Sequence, residues 1–219
     1  AIEIVGDNAR VTKVKTRQCD DNVVFINGNG ATVSGCTFAL TEDGFDVNVV
    51  GSRATISLNS FLNVDTAIGL TGTNNTVLKN KASNLDGFLQ SSGENITVDG
   101  NRGTFCFSTF ISLSSANAVI SNNQLAYGGG TFASITSSNA VITKNKGVNI
   151  SAFLTLNGVN PRVEANNITT CFGNFINIAG STDAIFPIDP ASRGTWIGVN
   201  TAGLVLAGVA VGVPAMAQP

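Results

Sequence analysis

Four aspartates are spaced so that they could act together. Asp21, Asp43, Asp65 and Asp86 recur at intervals of 22, 22 and 21 residues, each two positions before a short apolar run. The same place is then taken by Ser108, Gly130, Ser151, Gly173 and Gly194, so the acidity is confined to the N-terminal half. If one interval is one rung of a stacked structure, neighbouring carboxylates stand roughly 5 Å apart and next-but-one neighbours roughly 10 Å. Those separations approximate the carboxylate pairs of retaining and inverting glycosidases. Like charges at the shorter distance also raise one pKa, which supplies a general acid. Asp43, Asp65 and Asp86 are therefore the candidate catalytic residues. Stacked carboxylates also offer hard oxygen ligands to calcium. The plainest alternative is that each Asp caps the turn entering its strand, a role that Ser and Gly can also fill. No resident metal or cofactor is expected.

A second group is basic. Lys79, Lys81, Arg102, Lys144 and Lys146, with Lys13 and Lys15, cluster near the corner that a recurring Asn marks. The first five are candidate carbohydrate-binding residues, a ridge suited to an acidic polysaccharide. The competing use of such charge is solubility and protection of strand edges. No Lys or Arg lies within two residues of a column Asp, which argues against a lyase with a cationic base.

Composition removes other chemistries. The chain has no histidine, so Ser-His-Asp and Cys-His nucleophiles and His-containing zinc sites are excluded. A net charge of −2 gives nucleic acid no reason to bind. The apolar stretch 202–213 is too short for a membrane span. No secretory leader is visible in AIEIVGDNAR, and a start at Ala1 predicts a mature fragment of a longer protein. Charged residues make up 12% against 43% hydrophobic, and Gly and Asn are abundant, a turn-rich β composition.

The elements that would position these groups come from an internal repeat. A small residue, x, Val or Ile, x, x, Asn recurs as ATVSGC, ATISLN, TVLKN, TVDGN, VISNN, VITKN and RVEAN. Its aliphatics are Val11, Val33, Ile56, Val77, Val98, Ile120, Ile142, Val163 and Ile185, spaced 21 to 23 residues apart. Three residues later comes a column containing Asn59, Asn80, Asn101, Asn123, Asn145 and Asn166, flanked by Val14, Cys36 and Ile188. Asn tolerates left-handed backbone, and stacked amides can bond to one another, so this column predicts a self-satisfying corner.

About a dozen residues further on, a second strand opens with Ala67, Phe88, Phe110, Phe132, Phe153, Phe175 and Trp196. Behind these, Ile111/Leu113 and Leu154/Leu156 alternate with Ser112 and Thr155, the period-2 pattern of a half-buried strand. Phe110 shares parity with Ser112, which leaves an outward, sugar-binding or trimer-forming Phe ladder as the alternative to core packing. A third, shorter strand is expected near Phe105–Phe107. Cys19, Cys106 and Cys171 fall in one column but several coils apart, beyond disulfide reach, so no disulfide is predicted.

Units of this size cannot bury a face alone; they must stack. The pattern predicts an all-β, right-handed parallel β-helix of about nine coils over residues 1–190, with 191–219 as a C-terminal cap or oligomerisation segment. The Val/Ile-x-x-Asn units resemble the pectate-lyase-like β-helix superfamily, and most of all the β-helical part of a phage tailspike or tail-fibre protein. That resemblance implies a homotrimer on a virion tail or another extracellular surface, binding cell-surface polysaccharide. The alternatives are a polysaccharide hydrolase or lyase using the Asp column, and a structural spacer or adhesin. Whether the chain is an enzyme stays open at this point.

Overall fold

A computed structural model describes residues 1–179, with side chains through Asn177. Beyond them it describes the backbone of three short strands, Trp196–Ile197, Thr201–Val205 and Ala210–Val211. The chain is a right-handed parallel β-helix, and no α-helix occurs among the described residues. Each coil contributes one three-residue strand to a nine-stranded sheet and one long, bent strand or strand pair to a 13-stranded sheet. All pairing is parallel. Val98, Ile120 and Ile142 lie on adjacent rungs, as the repeat requires.

The corner after each short strand combines two columns. Residues in left-handed backbone are Lys13, Leu58, Lys79, Asn122, Lys144 and Ala165 (φ 51 to 58°), joined by Gly35 and Gly100. They stand one position before the Asn column, not on it, which corrects the expectation that the Asn residues themselves make the turn. The division of labour is physical. The left-handed residue reverses the chain, and the next residue then points inward. There Asn101 Nδ2 donates to the carbonyl of Val77 (3.0 Å) and to Asn123 Oδ1 (2.9 Å). Its own Oδ1 accepts from the backbone N–H (2.9 Å) and the amide (3.0 Å) of Asn80. The four amides from Asn80 to Asn145 share this scheme, Asn59 and Asn166 stand at its ends, and all six are at most 1% exposed. They bind coil to coil inside a dry corner, where an unpaired amide would be costly.

The core is filled by one stack of seven phenylalanine rings with centroids 4.8 to 6.4 Å apart. Phe88, Phe110, Phe132 and Phe153 are wholly buried, so the outward ladder is not formed. The stack changes column part-way. Phe38 and Phe61 belong to a facing strand column that continues as Ala82, Gly103, Leu125 and Gly147. Where that column carries Phe, the opposite one carries Asp46 and Ala67; where it carries Ala82, Gly103, Leu125 or Gly147, the opposite one carries Phe. A Cβ on Gly103 would come within 2.4 Å of the Phe110 ring, so the glycine makes room for the ring across the core. Close packing at this density leaves room for one aromatic ring per layer, not two.

The third strand is present but starts directly after each Asn: in the fifth coil it spans Arg102–Cys106, and Phe107 lies just past it. Cys19, Cys106 and Cys171 do share one column, with Cys106 and Cys171 three rungs apart, and all four cysteines are free. Trp196 does not continue the Phe column. It pairs with Arg162 in the short sheet, and Ile197 takes the place beside Val163. The last coil is thus 34 residues long from Val163 to Ile197, so the regular spacing fails there. Ile185, Ile188 and most of segment 191–219 lie outside the described residues. No helix among the described residues is long and apolar enough to cross a membrane.

Candidate functional site

Asp65 and Asp86 occupy adjacent rungs. Their neighbours pair as Val64 with Leu85 and Thr66 with Gly87, so the two carboxylates project outward from the same place, one above the other. Burial pushes the Asp65 carboxyl upward in pKa, and the nearby Asp86 and then Asp43 push it further. The pair lines a shallow depression of about 400 Å³ together with Thr66, Gly87, Gln90, Ser108, Thr109 and Ser112. These influences make Asp65 hold its proton more firmly than an isolated Asp, the direction that a general acid needs.

Asp43 is displaced from the strict column. The ladder slips between Thr41 and Phe45, so Asp43 sits in a bulge and acts on Asp65 only through its charge. Asp21 serves its own turn: its Oδ1 accepts the Asn22 N–H at 2.6 Å. The column beyond Asp86 is also redrawn. Phe107 N–H donates to the Leu85 carbonyl and Ser108 N–H to the Asp86 carbonyl, which sets Phe107 against Asp86. Four residues separate Leu85 from Leu89, but five separate their partners Cys106 and Ile111. Ser108 and Thr109 fall in that longer connection and wall the depression. Among the described residues no group of three acidic or thiol side chains is placed to hold a metal ion.

A second depression of about 490 Å³ adjoins the first, sharing Gln90 and Ser112 with it. It follows the outer face of the long sheet. One outward column reads Asn48, Gly69, Gln90, Ser112, Ser134, Thr155 and Asn177 on successive rungs. The next outward column reads Val50, Thr71, Ser92, Ser114, Thr136 and Asn157. Neither contains a charge. At one end Phe45 lies face-down on Gly69: a Cβ there would meet three ring carbons at 2.9 to 3.0 Å. The result is a continuous groove with an aromatic end, hydroxyl and amide walls, and two carboxylates along one side.

The basic residues form a separate ridge. Lys79, Lys81, Arg102, Lys144 and Lys146 are all exposed. Lys79 and Lys144 take the left-handed corner; Lys81 pairs with Arg102, and Gln124 intervenes before Lys146. Five residues of strand, on the order of 15 Å, separate Lys81 from Asp86, so ridge and acid pair do not make one site. Burial drives the Cys106 thiol up to about 12, which leaves it no thiolate character.

No protein-family model matches the chain, and no curated protein matches it in sequence. Solved structures do. The A-module of the Azotobacter vinelandii mannuronan C-5 epimerase superposes with a TM-score of 0.52 at 12% identity, covering 94% of this chain and 81% of that one. PfbA, a surface adhesin of Streptococcus pneumoniae, gives a TM-score of 0.37 at 8% identity, covering 96% and 88%. The first likeness agrees with the β-helix built above, and it extends to the fold alone.

Two residues of interest were not singled out from the sequence. Phe45 and Asp46 lie in the bulge of the second coil, and Asp46 is buried. A signal existed: the step from Val33 to Ile56 is 23 residues, the longest of the steps from Val11 to Val163, and it marks an insertion. Phe105 and Tyr127, exposed and stacked at 5.1 Å, likewise required coordinates, because their left-handed backbone (φ 56° and 59°) turns them outward.

Proposed function

We propose that this chain is a polysaccharide-binding β-helix of the tailspike or tail-fibre type. It would be displayed on a virion tail or another extracellular surface and would work as a homotrimer. The observation that carries the binding role is the pair of uncharged columns on the outer face of the long sheet, which line the larger depression. Solvent-exposed strands ordinarily carry charge for solubility, yet these two columns keep only amides, hydroxyls, one Val and one Gly. Directional hydrogen-bonding groups around one aromatic platform are what a sugar chain requires. The rung spacing of about 4.8 Å is close to the length of one pyranose residue, so successive sugars can meet successive rungs.

A second reading is favoured by the acid pair: a polysaccharide-cleaving enzyme in which Asp65 donates a proton and Asp86 acts as the companion carboxylate. Both readings meet in one experiment. Binding to a glycan panel is measured by calorimetry, with reducing ends and unsaturated ends assayed in parallel, for wild type, Asp65→Asn and Asp86→Asn. Binding retained by all three proteins, with no product from any, supports a pure binder. Product formation lost in both variants supports the enzyme. Silence across the panel removes the polysaccharide reading.

A further inference from the structure

We infer that the groove selects neutral glycans over uronic-acid polymers, and that Phe45, seated on Gly69, is the platform on which one sugar ring stacks. This rests on the polysaccharide reading above and adds the class of sugar and its anchor point.

The bulge that carries Phe45 is held from both sides. Outside, the Phe45 N–H donates to Asn22 Oδ1 of the preceding coil at 3.1 Å, and the Phe45 carbonyl accepts from the Val23 N–H at 3.3 Å. Inside, Thr41 Oγ1 donates to Asp46 Oδ1 at 2.5 Å. With its backbone fixed and its ring lying against Gly69, the Phe45 side chain loses little freedom on binding, and it lines the larger depression. Gly69 lets it lie flat, since any side chain there would lift the ring from the sheet. The apolar C–H face of a pyranose fits such a ring, while its equatorial hydroxyls reach Asn48, Gln90 and Ser112 on neighbouring rungs.

Charge decides the class. Among the described residues, the charged groups lining the two joined depressions are Asp65 and Asp86, and no described Lys or Arg lines either one. A polyuronate laid along the groove would bring its carboxylates to these two with no cation to compensate, a like-charge contact in a partly desolvated site. The cations lie on the ridge, about 15 Å of strand away. An acidic polysaccharide is therefore excluded from the groove by the same side chains that leave a neutral one undisturbed.

The test is calorimetric titration of the full chain with cello-, malto- and chito-oligosaccharides of equal length and with oligogalacturonate and oligomannuronate. Wild type, Phe45→Ala, Gly69→Ala and Arg102→Ala are compared, with melting curves to confirm that each variant is folded. The expected result is binding of at least one neutral oligosaccharide, none of the anionic ones, and roughly tenfold weaker binding in both Phe45→Ala and Gly69→Ala. Neutral binding that Phe45→Ala leaves unchanged overturns the platform but not the polysaccharide reading. Preferential binding of an anionic oligomer, abolished by Arg102→Ala, overturns the selectivity and moves the site to the ridge. Failure of the wild type to bind any oligosaccharide takes down both the reading and this inference.

Discussion

At the scale of single residues, Asp46 is the most unusual side chain. It occupies the core column that elsewhere holds Val23, Ala67 and the phenylalanines, and it is fully buried. One oxygen accepts from Thr41; Oδ2 is buried without a partner. Burial lifts its carboxyl from 3.8 to about 7, with the Thr41 hydrogen bond opposing only in part. Because the folded-state pKa is raised, its contribution to stability is complete below about pH 4 and is lost as pH rises through about 7. The wild type should therefore be less stable to denaturant at pH 8.5 than at pH 5, by on the order of a few kcal/mol. Asp46→Asn cannot ionise and should flatten that difference. Parallel pH profiles of the two proteins would refute the assignment.

At the scale of elements, the buried Asn corner adds side-chain hydrogen bonds between coils to those of the backbone ladders. Asn101→Ala orphans the Val77 carbonyl and the Asn80 N–H inside the corner, and should cost about 3 kcal/mol or more in denaturant unfolding. The exposed Asn117 offers a contrast. It belongs to an outer ladder in which Asn117 Nδ2 donates to Asn95 Oδ1 and Asn139 Nδ2 to Asn117 Oδ1, at 3.0 and 3.1 Å. Water can replace those bonds, so Asn117→Ala should cost about 1 kcal/mol, chiefly from its left-handed φ of 54°. Equal losses at the two positions would mean that burial does not set the value of these ladders. The repeat made the inner column legible because Asn recurs there in six coils in succession. The left-handed column beside it was not, since it mixes Lys, Leu, Gly, Asn and Ala: backbone geometry selects for an outward side chain there, not for one residue type.

At the scale of the whole molecule, the proposed trimer predicts a species three times the 22.5 kDa chain mass in light scattering. Recovery of a clean monomer across a wide concentration range would remove the trimer while leaving the groove intact. The parallel stacking and the Val/Ile column through Val163 were legible in the sequence, whereas the last coil and the place where the Phe stack changes column were not. Each coil repeats one pattern, and periodicity alone aligns equivalent side chains when the chain winds once per repeat. The acid pair was legible in the same way at Asp65 and Asp86, where two coils run in unbroken register. It was misplaced at Asp43, because an insertion of fixed length does not reveal where along the coil the extra residue will bulge.

Sequence alone therefore determined what depends on periodicity: the β-helix, its columns, the absence of His-based chemistry and the uncharged character of the outward positions. Tertiary structure decided what depends on local slippage and on packing between coils. It set Phe45 onto Gly69, turned Asp46 inward, joined two depressions into one groove and kept the basic ridge apart from it. The physical reason is that a repeat specifies register up to a bulge, whereas a bulge settles only where the neighbouring rungs leave room for the displaced side chain.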